Sequence, residues 1–205
     1  MSLNEMRIGD YTEALAGNAP VPSGGGTAAM VAALGAALGE MVGNLTLNKV
    51  AYAAVETEMR QLLAEAEQLR KELLDCVDGD AENFLPLAEA YKIPVGTPGR
   101  EEEMERCLRM AAETPLRVVE LSCRGILLQK EIAEKGSELL ISDAGTGVVL
   151  FWAAMYGAAL SVRANTKLMR DRAYAEALND RVDALMAAHW QTADQVYESV
   201  YQRLG

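Results

Sequence analysis

The chain has 205 residues, half of them hydrophobic, which is enough to bury one substantial core and short enough for one domain. Thirty acidic residues against 19 basic ones give a formal net charge of -11 at pH 7; this excludes a nucleic-acid surface, which needs a basic patch. The single histidine, His189, and three separated cysteines, Cys76, Cys107 and Cys123, exclude a histidine-based triad, a histidine-rich metal centre and a thiol knuckle. They read instead as isolated thiols in a reducing, cytoplasmic compartment, and no metal site is expected.

In chain order, Ser2 and Glu5 have the spacing of a capping box and predict a first helix to about Ala16. Gly17 to Gly26 carries Pro20, Pro22 and three consecutive glycines and reads as a loop. A second helix is predicted over about 27–47. In it Gly35, Gly39 and Gly43 recur every fourth residue and form a small face beside Ala28, Ala32 and Ala36. Three interior glycines cost about 2–3 kcal/mol of helix propensity, so this helix is expected to be central and closely crossed.

A third helix over about 51–77 has Val55, Met59, Leu62, Ala66, Leu69, Leu73 and Cys76 along one stripe. A short fourth helix is expected near 80–91 after a break at Gly79. Thr97 as cap and Pro98 as first residue predict the next start, with Glu101 to Glu103 at its positive end. Pro115 then kinks or restarts that helix, which ends at Lys135 before a left-handed Gly136. Asp143 is expected to cap a very apolar helix through Val162, and an amphipathic helix over about 171–202 closes the domain. The two apolar stretches, 19–39 and 144–162, lack flanking cations or aromatic belts and read as helices buried in protein, not in a membrane. Glu5 and Asp10 interrupt any secretory signal. The fold class is therefore all-α: a single-domain, up-and-down-like bundle of long helices around a buried Gly/Ala-rich one. Two apolar helices and a glycine stripe call for a homodimer.

Three places carry candidate chemistry. Ser23, Gly24, Gly25 and Gly26 open a helix, where free N–H groups can face an anion or a polar ring substituent; the same residues also suit a tight turn between helices. Asp75, Asp78 and Asp80 surround Gly79, and a carboxylate at a helix break can reach into a cleft, although carboxylates at helix ends are commonly solvated. Asp143, Lys49, Arg163, Asn165 and Lys167 stand at helix ends where they can meet a ligand or only water.

Pro20-Val-Pro-Ser-Gly-Gly-Gly-Thr-Ala-Ala, the run Leu34 to Thr46, Lys49, Asp78-Gly-Asp-Ala-Glu-Asn-Phe84, Thr114-Pro115, Ser142-Asp143 and Val162-Arg-Ala-Asn165 occur in one order. That combination resembles the cyclodeaminase and methenyltetrahydrofolate cyclohydrolase family over almost the whole chain. The resemblance implies an all-helical dimer with a folate cleft near the glycine run and the dimer interface. It implies Asp80 as the aspartate of the chemistry, with Asp78 close enough to exchange with it, and Lys49 and Asp143 beside them. Ser23, Gly24, Gly25, Gly26, Asn44, Arg163 and Asn165 are implied around the substrate. Ser161 and Ala164 depart from the family pattern, which bears on pocket shape. The implied main reaction is hydrolysis of 5,10-methenyltetrahydrofolate to 10-formyltetrahydrofolate, and the alternative is closure of 5-formiminotetrahydrofolate with loss of ammonia; a non-catalytic folate-binding or helical assembly protein is the reading of another class. No cofactor beyond the tetrahydrofolate substrate is implied, and a separate formiminotransferase is an expected partner.

Overall fold

The computed structural model describes residues 2–205. Six α-helices account for most of them: α1 (Ile8–Leu15), α2 (Gly24–Thr46), α3 (Glu56–Ala90), α4 (Arg100–Lys135), α5 (Ile141–Thr166) and α6 (Arg172–Arg203), with short 3-10 turns at Leu3–Glu5, Val50–Val55 and Glu138–Leu140. The long helices pack up and down as one bundle, with α2 against α3, α4 and α5.

The glycine stripe does what its spacing requires. A Cβ on Gly35 would stand 3.0 Å from the Gly147 carbonyl, one on Gly39 2.6 Å from Gln129 Oε1, and one on Gly43 2.8 Å from Leu63. Gly147 and Gly125 answer from α5 and α4, where a Cβ would stand 2.3 Å from Gln129 Nε2 and 2.1 Å from the Phe151 ring. The small residues thus make room for the fully buried Phe151 and Gln129, and Gln129 Nε2 is satisfied by the Ala144 carbonyl at 3.1 Å. Because Gly35 meets Gly147 while Gly24 faces Ser161, α5 runs antiparallel to α2.

Several boundaries differ from the sequence expectation. No capping box forms at Ser2, whose hydroxyl bonds Asn4 and Asp78 instead. The glycine run belongs to the first turn of α2 and not to the loop. The third and fourth predicted helices are one, continuous through Gly79 and Pro86. Gly79 tucks against Thr114, and the carbonyl that Pro86 leaves without a donor belongs to exposed Glu82, where water can serve it. Thr97 and Pro98 do not start α4: Thr97 bonds the Pro94 carbonyl, and Gly99 precedes the helix at a left-handed φ of 80°. Gly136 is not left-handed either, with φ at -75°. It is needed because a Cβ there would lie 2.5 Å from the Ile132 carbonyl.

Pro115 does not break α4. Its ring removes the donor that the Ala111 carbonyl would receive in a regular helix, and Asn165 Nδ2 supplies one from α5 at 3.1 Å. Asp143 lies inside the first turn of α5, after Leu140 as the residue at the cap, so it is not the cap itself. Asp171 does cap α6, accepting from the Tyr174 N–H at 3.1 Å.

Beyond the start of α2, the end of α3, the start of α4 and the start of α6 close on a second, smaller core around Leu87, Leu108 and Met169. α2 therefore begins on a step between two cores. Its Ser23–Gly26 end faces Val77 and Asp80 in the C-terminal part of α3, which is where the candidate chemistry lies. By length and composition alone, α2 and the span Glu138–Thr166 are apolar enough to cross a membrane, and half of each apolar window is buried in the bundle.

Candidate active site

Asp80 is the organising group. It continues the buried stripe of Leu69, Leu73 and Cys76 on α3, so the helix carries its carboxylate inward, where it is only 5 % exposed. There it covers the N-terminus of α2. Oδ2 accepts from the Ser23 hydroxyl at 2.6 Å and from the Gly26 N–H at 2.8 Å. Both of the carboxylate's hydrogen bonds go to Oδ2, which leaves Oδ1 open, and Oδ1 lies over Gly25, where a Cβ would stand 2.2 Å away. The glycines are thus the space in which the carboxylate sits.

Burial pushes the Asp80 carboxyl above the usual carboxylate range, while the bonds from Ser23 and Gly26 pull it partly back. The positive end of the α2 dipole favours the ionised form as well. A carboxyl balanced in this way can exchange a proton with a bound ligand through its open oxygen. Gly24 and Gly25 occupy the first turn, whose N–H groups have no intrahelical acceptor; with Asp80 Oδ1 they set two donors beside one acceptor.

Tyr11 completes the surround and was not anticipated from the sequence. It is the buried residue of α1, and its hydroxyl lies 3.3 Å from Thr27 Oγ1. Thr27 spends its own proton on the Ser23 carbonyl at 2.8 Å, so Tyr11 donates to Thr27. Burial raises the Tyr11 hydroxyl pKa. One turn along α3 from Asp80, Asn83 Nδ2 donates to Thr114 Oγ1 at 2.9 Å and closes the α4 side.

The remaining sequence candidates divide cleanly. Asp78 faces the other way and anchors the N-terminal segment, accepting from Ser2 and from the Leu3 N–H. Asn44 and Lys49 are exposed at the far end of α2, about 27 Å of helical rise from Gly26 to Asn44. Antiparallel packing puts half-buried Asp143 towards that same far end. A single chain therefore does not bring Asn44, Lys49 or Asp143 to Asp80. Arg163 is drawn to Asp183 on α6. Asn165 lies one turn beyond Ser161 with its amide spent on the Ala111 and Ser161 carbonyls at 3.1 and 3.0 Å.

No three His, Cys, Asp or Glu side chains gather as metal ligands among the described residues. The three thiols are unpaired and buried, and burial pushes Cys76 to about 11 and Cys123 to about 12. Grooves run between α4 and α6 at Lys130 and Arg203 and along α5 and α6 at Val149 and Tyr197. Neither contains a buried carboxylate, so the chemistry points to Asp80.

The formiminotransferase-cyclodeaminase family model matches residues 7–184. A methenyltetrahydrofolate cyclohydrolase of Methylorubrum extorquens is 36 % identical over 96 % of this chain and 97 % of its own length. The mouse formimidoyltransferase-cyclodeaminase is 30 % identical over 90 % of this chain, which spans only 35 % of that longer protein. The crystal structure of formiminotetrahydrofolate cyclodeaminase from Thermotoga maritima superposes with a TM-score of 0.85 at 26 % identity, covering 98 % of this chain and 97 % of the other. The all-helical bundle is the fold this chain shares with the Thermotoga structure. The chain belongs to the formiminotransferase-cyclodeaminase family.

Proposed function

We propose that this chain is a tetrahydrofolate one-carbon enzyme that works by acid–base chemistry at Asp80, in the first place as a formiminotetrahydrofolate cyclodeaminase. The observation that carries the reading is the buried carboxylate with one bonded and one open oxygen and a raised pKa. In the protonated formimino group, N10 attacks the carbon on N5 and forms a tetrahedral centre. The proton on N10 must then move to the departing nitrogen before ammonia leaves and the methenyl bridge is complete. Asp80 Oδ1 is suited to take that proton and return it, and its charge offsets the cation that remains. Ser23 and the Gly26 N–H hold the other oxygen, which fixes the carboxyl plane during the transfer.

Hydrolysis of 5,10-methenyltetrahydrofolate is the second reading, and the full-length likeness to the Methylorubrum protein favours it. Water would add to the same carbon and lose its proton to the same oxygen, which would return it to N5 as the bond between that carbon and N5 breaks, so Asp80 serves both reactions. Both conversions are addition and elimination at one carbon, and neither calls for a cofactor beyond the folate. The likeness to bifunctional relatives supports a formiminotransferase on a separate chain as supplier of the formimino substrate.

A homodimer belongs to the same proposal. α2 and α5 pack against each other, and each leaves apolar side chains exposed: Leu34, Met41 and Leu45 on one, Tyr156 and Leu160 on the other. Covering such surface with a second copy is favourable at about 25 cal/mol per Å². An antiparallel copy would carry its Asn44–Lys49 end towards the Asp80 end of the first. The function is tested by absorbance assays that follow formation of 5,10-methenyltetrahydrofolate from the formimino substrate, with ammonia release, and loss of the methenyl compound above its spontaneous rate. Turnover in the first assay supports the deaminase, turnover in the second alone the hydrolase, and silence in both from folded protein overturns the proposal.

A further inference from the structure

Three α5 side chains stand at the Asp80 end of the bundle: Ser161, Arg163 and Asn165. Two of them are already engaged. Arg163 is paired with Asp183 on the α6 side, and the Asn165 amide serves the carbonyl orphaned by Pro115. Ser161 differs in both respects. Its hydroxyl is the atom nearest to Gly24, 3.9 Å from where a Cβ would be, so it looks onto the opening turn of α2 across open van der Waals distance. Its own hydrogen bond, to the Gly157 carbonyl one turn back, is long at 3.5 Å, which leaves the hydroxyl nearly all of its capacity to donate and accept.

On the other flank of the same turn stands Asp80, more than nine-tenths buried, with Oδ1 unpartnered above Gly25. The opening turn of α2 therefore lies between an acceptor on α3 and a hydroxyl on α5. Asp80 reaches it only because Gly25 has no side chain, whereas Ser161 stands at ordinary contact distance from where a Cβ on Gly24 would be. Arg163, two positions further along α5, and Asn165, four positions further, cannot substitute, since both side chains are tied down.

Resting on the proposed folate reaction, we propose that Ser161 is a substrate-contacting residue that sets specificity: its hydroxyl holds the small polar group, amine or hydroxyl, that leaves or enters at the one-carbon bridge opposite Asp80. A hydroxyl fits that position because it can accept from a departing amine and donate to an arriving oxygen. Removing it takes away one hydrogen bond that strengthens as the tetrahedral carbon forms, an effect that falls on turnover rather than on folate binding.

The test uses the full chain with 5-formiminotetrahydrofolate and 5,10-methenyltetrahydrofolate as separate substrates, and compares wild type, Ser161→Ala and Ser161→Thr. The expected result is a kcat for Ser161→Ala reduced about tenfold on the substrate that wild type uses, with KM within about twofold and an unchanged melting temperature. Ser161→Thr, which keeps the hydroxyl, recovers most of the loss. An unchanged kcat in Ser161→Ala, a change confined to KM, or a loss that tracks the melting temperature overturns the assignment while leaving the folate reading intact. A wild type that turns over neither substrate removes both.

Discussion

Gly25→Ala is the sharpest structural perturbation of the site. The added methyl would stand 2.2 Å from Asp80 Oδ1, 2.8 Å from Cγ and 3.0 Å from Oδ2. All three carboxyl atoms are too close, so turning the carboxyl plane does not relieve the clash. Either Asp80 swings away, losing its bonds to Ser23 and the Gly26 N–H, or the first turn of α2 moves. Loss of one buried, charge-assisted hydrogen bond costs about 1.5–3 kcal/mol, and overpacking costs a similar 1–3 kcal/mol or so. Alanine returns at most about 1 kcal/mol of helix propensity. The net expectation is a destabilisation of about 1–3 kcal/mol. A carboxylate displaced by about 1 Å should also lower kcat/KM by about a hundredfold. Urea denaturation and the two folate assays read both effects. Gly9→Ala is the control: nothing lies within 4 Å of a Cβ there, so it should leave turnover unchanged and, lying in α1, should stabilise by at most about 1 kcal/mol rather than destabilise. A Gly25→Ala protein with wild-type stability and turnover would refute the placement of Asp80 over that glycine.

Four further outcomes follow from the same coordinates. Asp78→Ala should cost about 1–2 kcal/mol by freeing Ser2 and Leu3 and leave kcat/KM within about threefold, as steady-state kinetics will show. Asn165→Ala orphans the Ala111 carbonyl beside Pro115 and should cost about 1–3 kcal/mol in denaturant unfolding. Asp80→Asn keeps an oxygen for Ser23 and Gly26 but no charge to bury. Since the folded pKa of Asp80 is raised, its carboxyl contributes stability below the unfolded pKa and loses it as pH rises through the folded one. The melting temperature of Asp80→Asn relative to wild type should therefore rise as the pH increases from the unfolded carboxyl pKa through the raised folded one, and a falling difference would contradict the burial argument. Light scattering should give about twice the chain mass of 22.1 kDa; a monomer would remove the dimer.

Local periodicity made much of the fold legible. Gly35, Gly39 and Gly43 announced a closely crossed helix because spacing by four is itself the geometry of one helix face. Asp80 was legible as a residue of interest, but for an incomplete reason. It was expected at a helix break after Gly79, whereas α3 runs straight through and buries Asp80 by continuing the four-and-three spacing of Leu69, Leu73 and Cys76. A carboxylate in register with an apolar stripe was the available signal. The glycine run read as loop because composition cannot distinguish a flexible turn from a helix start whose side chains must be absent to admit Asp80. Tyr11, and the service Asn165 gives to the carbonyl before Pro115, left no mark in the sequence. Each depends on which helices meet, and that is fixed only by tertiary packing. The far placement of Asn44 and Lys49 was readable from the residue count along the predicted helix, whereas that of Asp143 depends on α5 packing antiparallel to α2.

The most direct test of the account is turnover of 5-formiminotetrahydrofolate and 5,10-methenyltetrahydrofolate by wild type and Asp80→Asn in parallel, with circular dichroism to verify folding. The account predicts turnover by wild type and its loss in a fully folded Asp80→Asn, by about a hundredfold or more. Undiminished turnover in that variant would contradict the central role of Asp80.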